Sequence, residues 1–131
     1  MPAEPPSDKP LIDKLGVEPG AHVALLGIDD EGFRAALGER TAEVSETAGD
    51  GPLDLVFLQA DRPEDLEGLG ALEPVLERNG AVWVVHPRGS KDVPEAKVLG
   101  AGLAVGLVDN KVVRFSDTHT AHRFVIPRDR R

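Results

Sequence analysis

The chain has 131 residues, a length that predicts one domain burying roughly two-thirds of the surface its unfolded form exposes. Lys and Arg number 15 against 23 Asp and Glu, a formal charge of −8, so long-range electrostatics disfavour a general grip on nucleic acid or an anionic membrane surface. Absence of cysteine excludes disulfides, thiolate catalysis and cysteine-ligated metals, and fits a reducing, cytoplasmic setting.

Residues 1–10 carry four prolines and no apolar run, which predicts a flexible polar arm and neither a signal peptide nor a membrane anchor. Leu11, Ile12 and Leu15 give one helical turn of apolar face before Gly16, expected to pack on the sheet edge. Pro19-Gly20 is a turn, and Val23 to Ile28 is a continuous apolar run of the kind that parallel strands buried on both faces show. Asp29 or Asp30 caps a short helix over Glu31 to Leu37, closed by Gly38. From Glu39 to Pro52 the text is polar, with room only for a brief edge strand within Ala42 to Thr47.

Leu53 to Gln59 is a second buried strand, and Asp61-Arg62-Pro63 opens a helix with a cap and a first-turn proline. Leu66, Leu69, Leu72 and Leu76 form its apolar stripe, Pro74 breaks or kinks it, and Asn79-Gly80 stops it. Ala81 to Val85 is a third buried strand ending at His86-Pro87. Ser90-Lys91-Asp92 is expected to cap the next helix, with Ala96, Leu99 and Leu103 on its buried face and Gly106 at its end. Lys111 to Ser116 and Ala121 to Ile126 are spaced as a β-hairpin, and Arg128, Arg130 and Arg131 form a basic tail over 128–131. Strands alternating with helices predict a single α/β domain over 11–127, with a mainly parallel sheet covered on both faces and an antiparallel edge at the hairpin.

Three stretches carry a resemblance. Leu53-Asp54-Leu55-Val56-Phe57 resembles the fourth strand of class I methyltransferases, Leu72 to Val85 resembles their run into the fifth, and the closing hairpin resembles their antiparallel strand inserted between its neighbours. The whole chain, over about 9 to 127, also resembles an uncharacterised family of small bacterial proteins, a domain of unknown function with a methyltransferase-like core. That match rests on Leu15-Gly16-Val17, Pro19-Gly20, Val23 to Gly27, Gly32-Phe33, Trp83-Val84, Gly106 to Asp109, Lys111-Val112 and Arg123 to Val125. It implies a Rossmann-like, abbreviated methyltransferase-like fold, with S-adenosylmethionine as the cofactor of the wider superfamily.

Methyltransferases of this class cradle that cofactor with a G-x-G-x-G turn and anchor its ribose on an acidic residue ending the second strand. Here the turn reads Gly27-Ile28-Asp29-Asp30-Glu31-Gly32, with Glu43 and Glu46 as the candidate anchors. Ile28 and three carboxylates fill the space between the two glycines. The expectation is therefore a non-catalytic or ligand-binding protein with no cofactor. A minimal S-adenosylmethionine-dependent methyltransferase and a structural protein dimerising through its sheet edge are the alternatives. The expected partner is a small molecule or another protein, including a second copy of the chain.

The candidate cleft is Gly27, Asp29, Gly32, Gln59, His86 and Arg88, at the carboxyl ends of the strands where open α/β sheets bind ligands. His86 and Arg88, followed by Ser90 and Lys91, form the most electropositive spot of an acidic chain. His119 and His122 have the spacing H-x-x-H, which suits a metal on a helix; across a hairpin the rings need not converge, and no metal site is expected. Trp83 reads as core and Asp54 as a turn or edge partner. No G-x-S-x-G turn or P-loop occurs, so nucleophilic catalysis and phosphoryl transfer lack their parts.

Overall fold

The computed structural model describes residues 9–131; the arm expected over 1–10 lies, but for Lys9 and Pro10, outside them. In chain order the elements are α1 (Leu11–Lys14), β1 (Val23–Leu26), α2 (Glu31–Arg40), β2 (Val44–Ser45), β3 (Leu53–Gln59), two 3₁₀ segments (Pro63–Ala71 and Glu73–Val75), β4 (Leu76–Pro87), α3 (Glu95–Ala104), β5 (Val108–Arg114) and β6 (His119–Val125). The six strands form one sheet in the order β2-β1-β3-β4-β6-β5. β1 to β4 run parallel, and β6 is antiparallel to both β4 and β5. The antiparallel strand is therefore inserted between its neighbours, as the resemblance implied, and does not form the edge that the hairpin alone suggested. The fold class is the expected α/β, methyltransferase-like one. Among the described residues no helix is long and apolar enough to cross a membrane.

Period-2 alternation divides the strands between two cores. Leu25, Leu55, Phe57, Ala81, Trp83 and Val85 face α1 and α2, where they meet Ile12, Leu15, Phe33 and Leu37. Ala24, Val56, Leu58, Val82, Val84 and Phe124 face the 3₁₀ segments and α3, where they meet Leu66, Leu69, Leu72 and Val98. α1 covers a face of the sheet and not its edge: Leu15 is fully buried, and its carbonyl accepts a 3.1 Å hydrogen bond from the Trp83 indole.

Several boundaries differ from expectation for identifiable reasons. α2 passes through Gly38 to Arg40, because Arg40 anchors its last turn on the Val17 carbonyl and the Asp13 carboxylate at 2.7 Å each. The helix expected after Asp61 is 3₁₀, and Leu76 belongs to β4. Asn79-Gly80 lies inside that strand at the register irregularity between Leu53 and Leu55, where a Cβ on Gly80 would stand 2.9 Å from the Leu53 carbonyl oxygen. Ser90 caps a turn, its hydroxyl accepting from the Asp92 and Val93 amides, and α3 starts later at Glu95. α3 buries Val98 and Gly102, whereas Leu103 is 58% exposed and Ala96 is exposed. The terminal arginines form a 3₁₀ turn (Arg128–Arg130), with Arg130 donating to Glu73 at 2.6 Å and to the Gly106 carbonyl.

The crossing of α3 over β6 fixes that rotation. A Cβ added at Gly102 would overlap the Phe124 ring, whereas one at Gly100 meets nothing. Gly102→Ala is therefore expected to lower stability by about 1–3 kcal/mol, overpacking outweighing the helix-propensity gain. Gly100→Ala, an exposed control on the same helix, is expected to raise stability by about 0.5–1 kcal/mol. Urea unfolding of both variants checks the sign of each.

Candidate functional site

The strand order reverses between β1 and β3, and a Cβ on Gly27, at φ +81°, would stand 3.8 Å from Gln59 Cβ across that switch point. Immediately after Gly27 the chain turns back inward, burying Ile28 to 3% exposure in the cluster that holds Phe33 and Leu37. Asp30 is the helix cap, its carboxylate accepting from the Phe33 amide at 2.9 Å, while Asp29 and Gly32 are exposed. Arg34 closes the turn from outside. It donates to the Ile28 carbonyl at 2.8 Å and to the Glu46 carboxylate at 2.6 Å, tying the end of β1 to the residue that follows β2.

From Gln59 a polar chain runs along the carboxyl edge. The Gln59 amide donates to Asp61 at 2.9 Å, and the second Asp61 oxygen lies 2.8 Å from His119 Nε2. Burial pushes the Asp61 carboxyl up, but the hydrogen bonds from Gln59 and His119 outweigh it and leave it below its ordinary value. Arg88 donates to the backbone carbonyls of His119, at 2.8 Å, and of Asp117. Its guanidinium thus holds the hairpin turn against the end of β4.

Beneath this edge His86 and His122 stack, with ring centroids 4.8 Å apart. Both are buried, His86 Nε2 lies 2.8 Å from His122 Nδ1, and His122 Nε2 lies 3.3 Å from Glu95 at the first turn of α3. The tautomers follow from the partners. A carboxylate only accepts, so His122 donates from Nε2 and accepts at Nδ1. His86 must then donate from Nε2, which leaves its Nδ1 as a bare lone pair. That atom is buried and has no hydrogen-bond partner among the described residues. Burial first, and then the neighbouring His122 ring, lower the His86 pKa to about 4, the Pro87 backbone and Glu95 offsetting them only in part. His86 therefore accepts at neutral pH and takes up a proton only in acid. His86, His122, Glu95 and Arg88 line one cavity of about 460 Å³ at the carboxyl end of β4.

The six sequence-derived candidates thus fall into two groups. Gly27, Asp29 and Gly32 surround a turn that Arg34 and Ile28 fill. Gln59, His86 and Arg88 belong to the polar edge that runs through Asp61 and His119 to the His86 cavity. His119 and His122 do not converge: one reaches Asp61, the other lies under His86. The reading along the chain missed Glu95 and Arg34, weighed His122 only as a metal ligand and took Asp61 only as a helix cap. Strand alternation could place His86 on the Val82 and Val84 face and His122 on the Phe124 face. Only the antiparallel register, which sets Val84 opposite His122, brings the two rings together.

No protein-family model matches the chain, and neither does any curated protein. Solved structures do. A fibrillarin pre-rRNA processing protein of Methanococcus jannaschii superposes with a TM-score of 0.66 at 11% identity, over 84% of this chain and 68% of that one. An S-adenosylmethionine-dependent methyltransferase from Aquifex aeolicus gives 0.63 at 13% identity, over 88% and 87%. Magnesium protoporphyrin IX methyltransferase from Synechocystis PCC 6803, with S-adenosylmethionine bound, gives 0.62 at 13% identity, over 88% and 74%. At these identities the likeness establishes the methyltransferase-like Rossmann fold.

His86 makes stability depend on pH. The unfolded chain protonates this ring below its ordinary pKa of 6.5 and the folded one only near 4. Stability therefore falls as pH drops through that window, by roughly 1–3 kcal/mol from this group. Urea unfolding at about pH 7 and about pH 4.5 is expected to show a loss smaller by that amount in His86→Gln than in wild type.

Proposed function

We propose that this chain is a non-catalytic, ligand-binding member of the methyltransferase-like superfamily, with its site at the carboxyl edge around Gln59, His86 and Arg88. The observation that carries this reading is the closed turn after β1. A G-x-G-x-G cradle starting at Gly27 would need glycine where Asp29 and Glu31 stand. Ile28 turns into the core, and of the two candidate ribose anchors Glu46 is already bound to Arg34 while Glu43 precedes β2, 3.9 Å from His22. These residues do not fit S-adenosylmethionine. The polar edge that remains offers a fixed amide, a buried imidazole acceptor and a cavity of about 460 Å³, within the size range of small-molecule sites.

Calorimetric titration with S-adenosylmethionine and S-adenosylhomocysteine separates this reading from a minimal methyltransferase. Neither is expected to give binding heat up to about 1 mM. Saturable binding of either at lower concentration overturns the reading and restores the enzyme. In a thermal-shift screen of small alcohols and amides, hits are expected with wild type and lost in His86→Gln.

A further inference from the structure

The amino edge of the sheet, opposite His86, carries a second and independent site. Arg123 of β6 pairs in register with Trp83 of β4, and its side chain stands between two cavities, of about 700 Å³ and about 220 Å³, that both also touch Gly16. A guanidinium has five N–H donors. Among the described residues the hydrogen bond made by this one is a long contact of 3.3 Å to the Asn110 side chain, and no carboxylate pairs with it. Burial, and after it the charge of Arg131, depress its pKa, so the cation is both desolvated and repelled where it stands. Such a guanidinium, with donors uncommitted to the protein, presents its fork to a carboxylate.

The larger cavity also says what kind of anion. Arg78 joins Arg123 on its wall, and Glu18, Asp54 and Glu77 share that wall. Among the described residues Arg78, Glu18 and Glu77 enter no ion pair, so the cavity holds opposite charges apart. A phosphate or a simple carboxylate would meet three carboxylates in a chain of charge −8. A ligand that brings its own cation meets both signs favourably.

We propose that this cavity binds a small zwitterion of the amino-acid class, its carboxylate on the Arg123 guanidinium and its ammonium group toward Glu77, Glu18 and Asp54. The planar fork of Arg123 takes the carboxylate in bidentate fashion, which distinguishes it from a lysine at the same place. The site does not depend on the carboxyl-edge reading, since it shares no residue with the His86 cavity.

The test titrates the full chain with the common free L-amino acids to about 10 mM, followed by amide chemical shifts. At least one amino acid is expected to saturate, with shifts centred on Gly16, Gly20 and Asn79. Acetate, methylamine and inorganic phosphate, none of which carries both charges, are expected to bind about 10-fold or more weakly. Arg123→Gln is expected to lose about 10-fold or more in affinity with its thermal midpoint unchanged. Arg78→Gln, on the exposed start of β4, carries the same expectation should Arg123→Gln lose its fold. The proposal is overturned if no amino acid saturates, if acetate or phosphate binds as tightly, if folded Arg123→Gln retains wild-type affinity, or, should that variant not fold, if Arg78→Gln retains it.

Discussion

β4 is sealed on both sides, and the rest of the molecule follows from what that demands. From Ala81 to Val85 the strand is 0% exposed between two helical layers, so no water can reach a polar atom there. Each polar side chain within or at the end of this sealed run must find its partner inside the protein. Trp83 finds the Leu15 carbonyl, which fixes α1 over the sheet face. His86, at the end of the sealed run, finds His122, which finds Glu95 and so relates β6 to the first turn of α3. One nitrogen of this chain is left over, and an unpartnered buried acceptor costs on the order of 1–3 kcal/mol. It lies at the carboxyl edge, where this architecture leaves its strand ends open.

The two edges of the sheet differ in how their charges are used. At the carboxyl edge Arg34 is committed to Ile28 and Glu46, Arg88 to the hairpin turn, and Asp61 to Gln59 and His119. These groups hold the chain's own turns together, and Arg88 keeps its charge while bonded to backbone carbonyls. At the amino edge Arg123 and Arg78 face a cavity without carboxylate partners.

Helix rotation and helix start were the least legible features. In α3 the apolar residues Leu99 and Leu103 suggest one face, yet the helix turns Gly102 inward, because only a residue without a side chain lets it cross Phe124. The leucine stripe from Leu66 to Leu76 has a helical period, yet it ends in a 3₁₀ segment and a strand. Pro74 removes a helix donor, and the β3 register recruits Leu76 opposite Leu53. The helix cap read at Asp29 or Asp30 is formed by Asp30, whose partner lies three residues away. Capping failed at Ser90, where a local turn competes for the same hydroxyl.

The sequence by itself determined the α/β class, the three buried parallel strands, the absence of thiol chemistry and the missing glycines of the turn after Gly27. All of these are local properties of composition and spacing. The tertiary structure decided that His86 meets His122 and Glu95 across 36 and 27 residues, that Arg34 reaches Glu46, and that Arg123 stands beside Gly16. Those meetings depend on strand register and on which helix covers which face. Both are set by the packing of the whole domain, and no window of the chain encodes them.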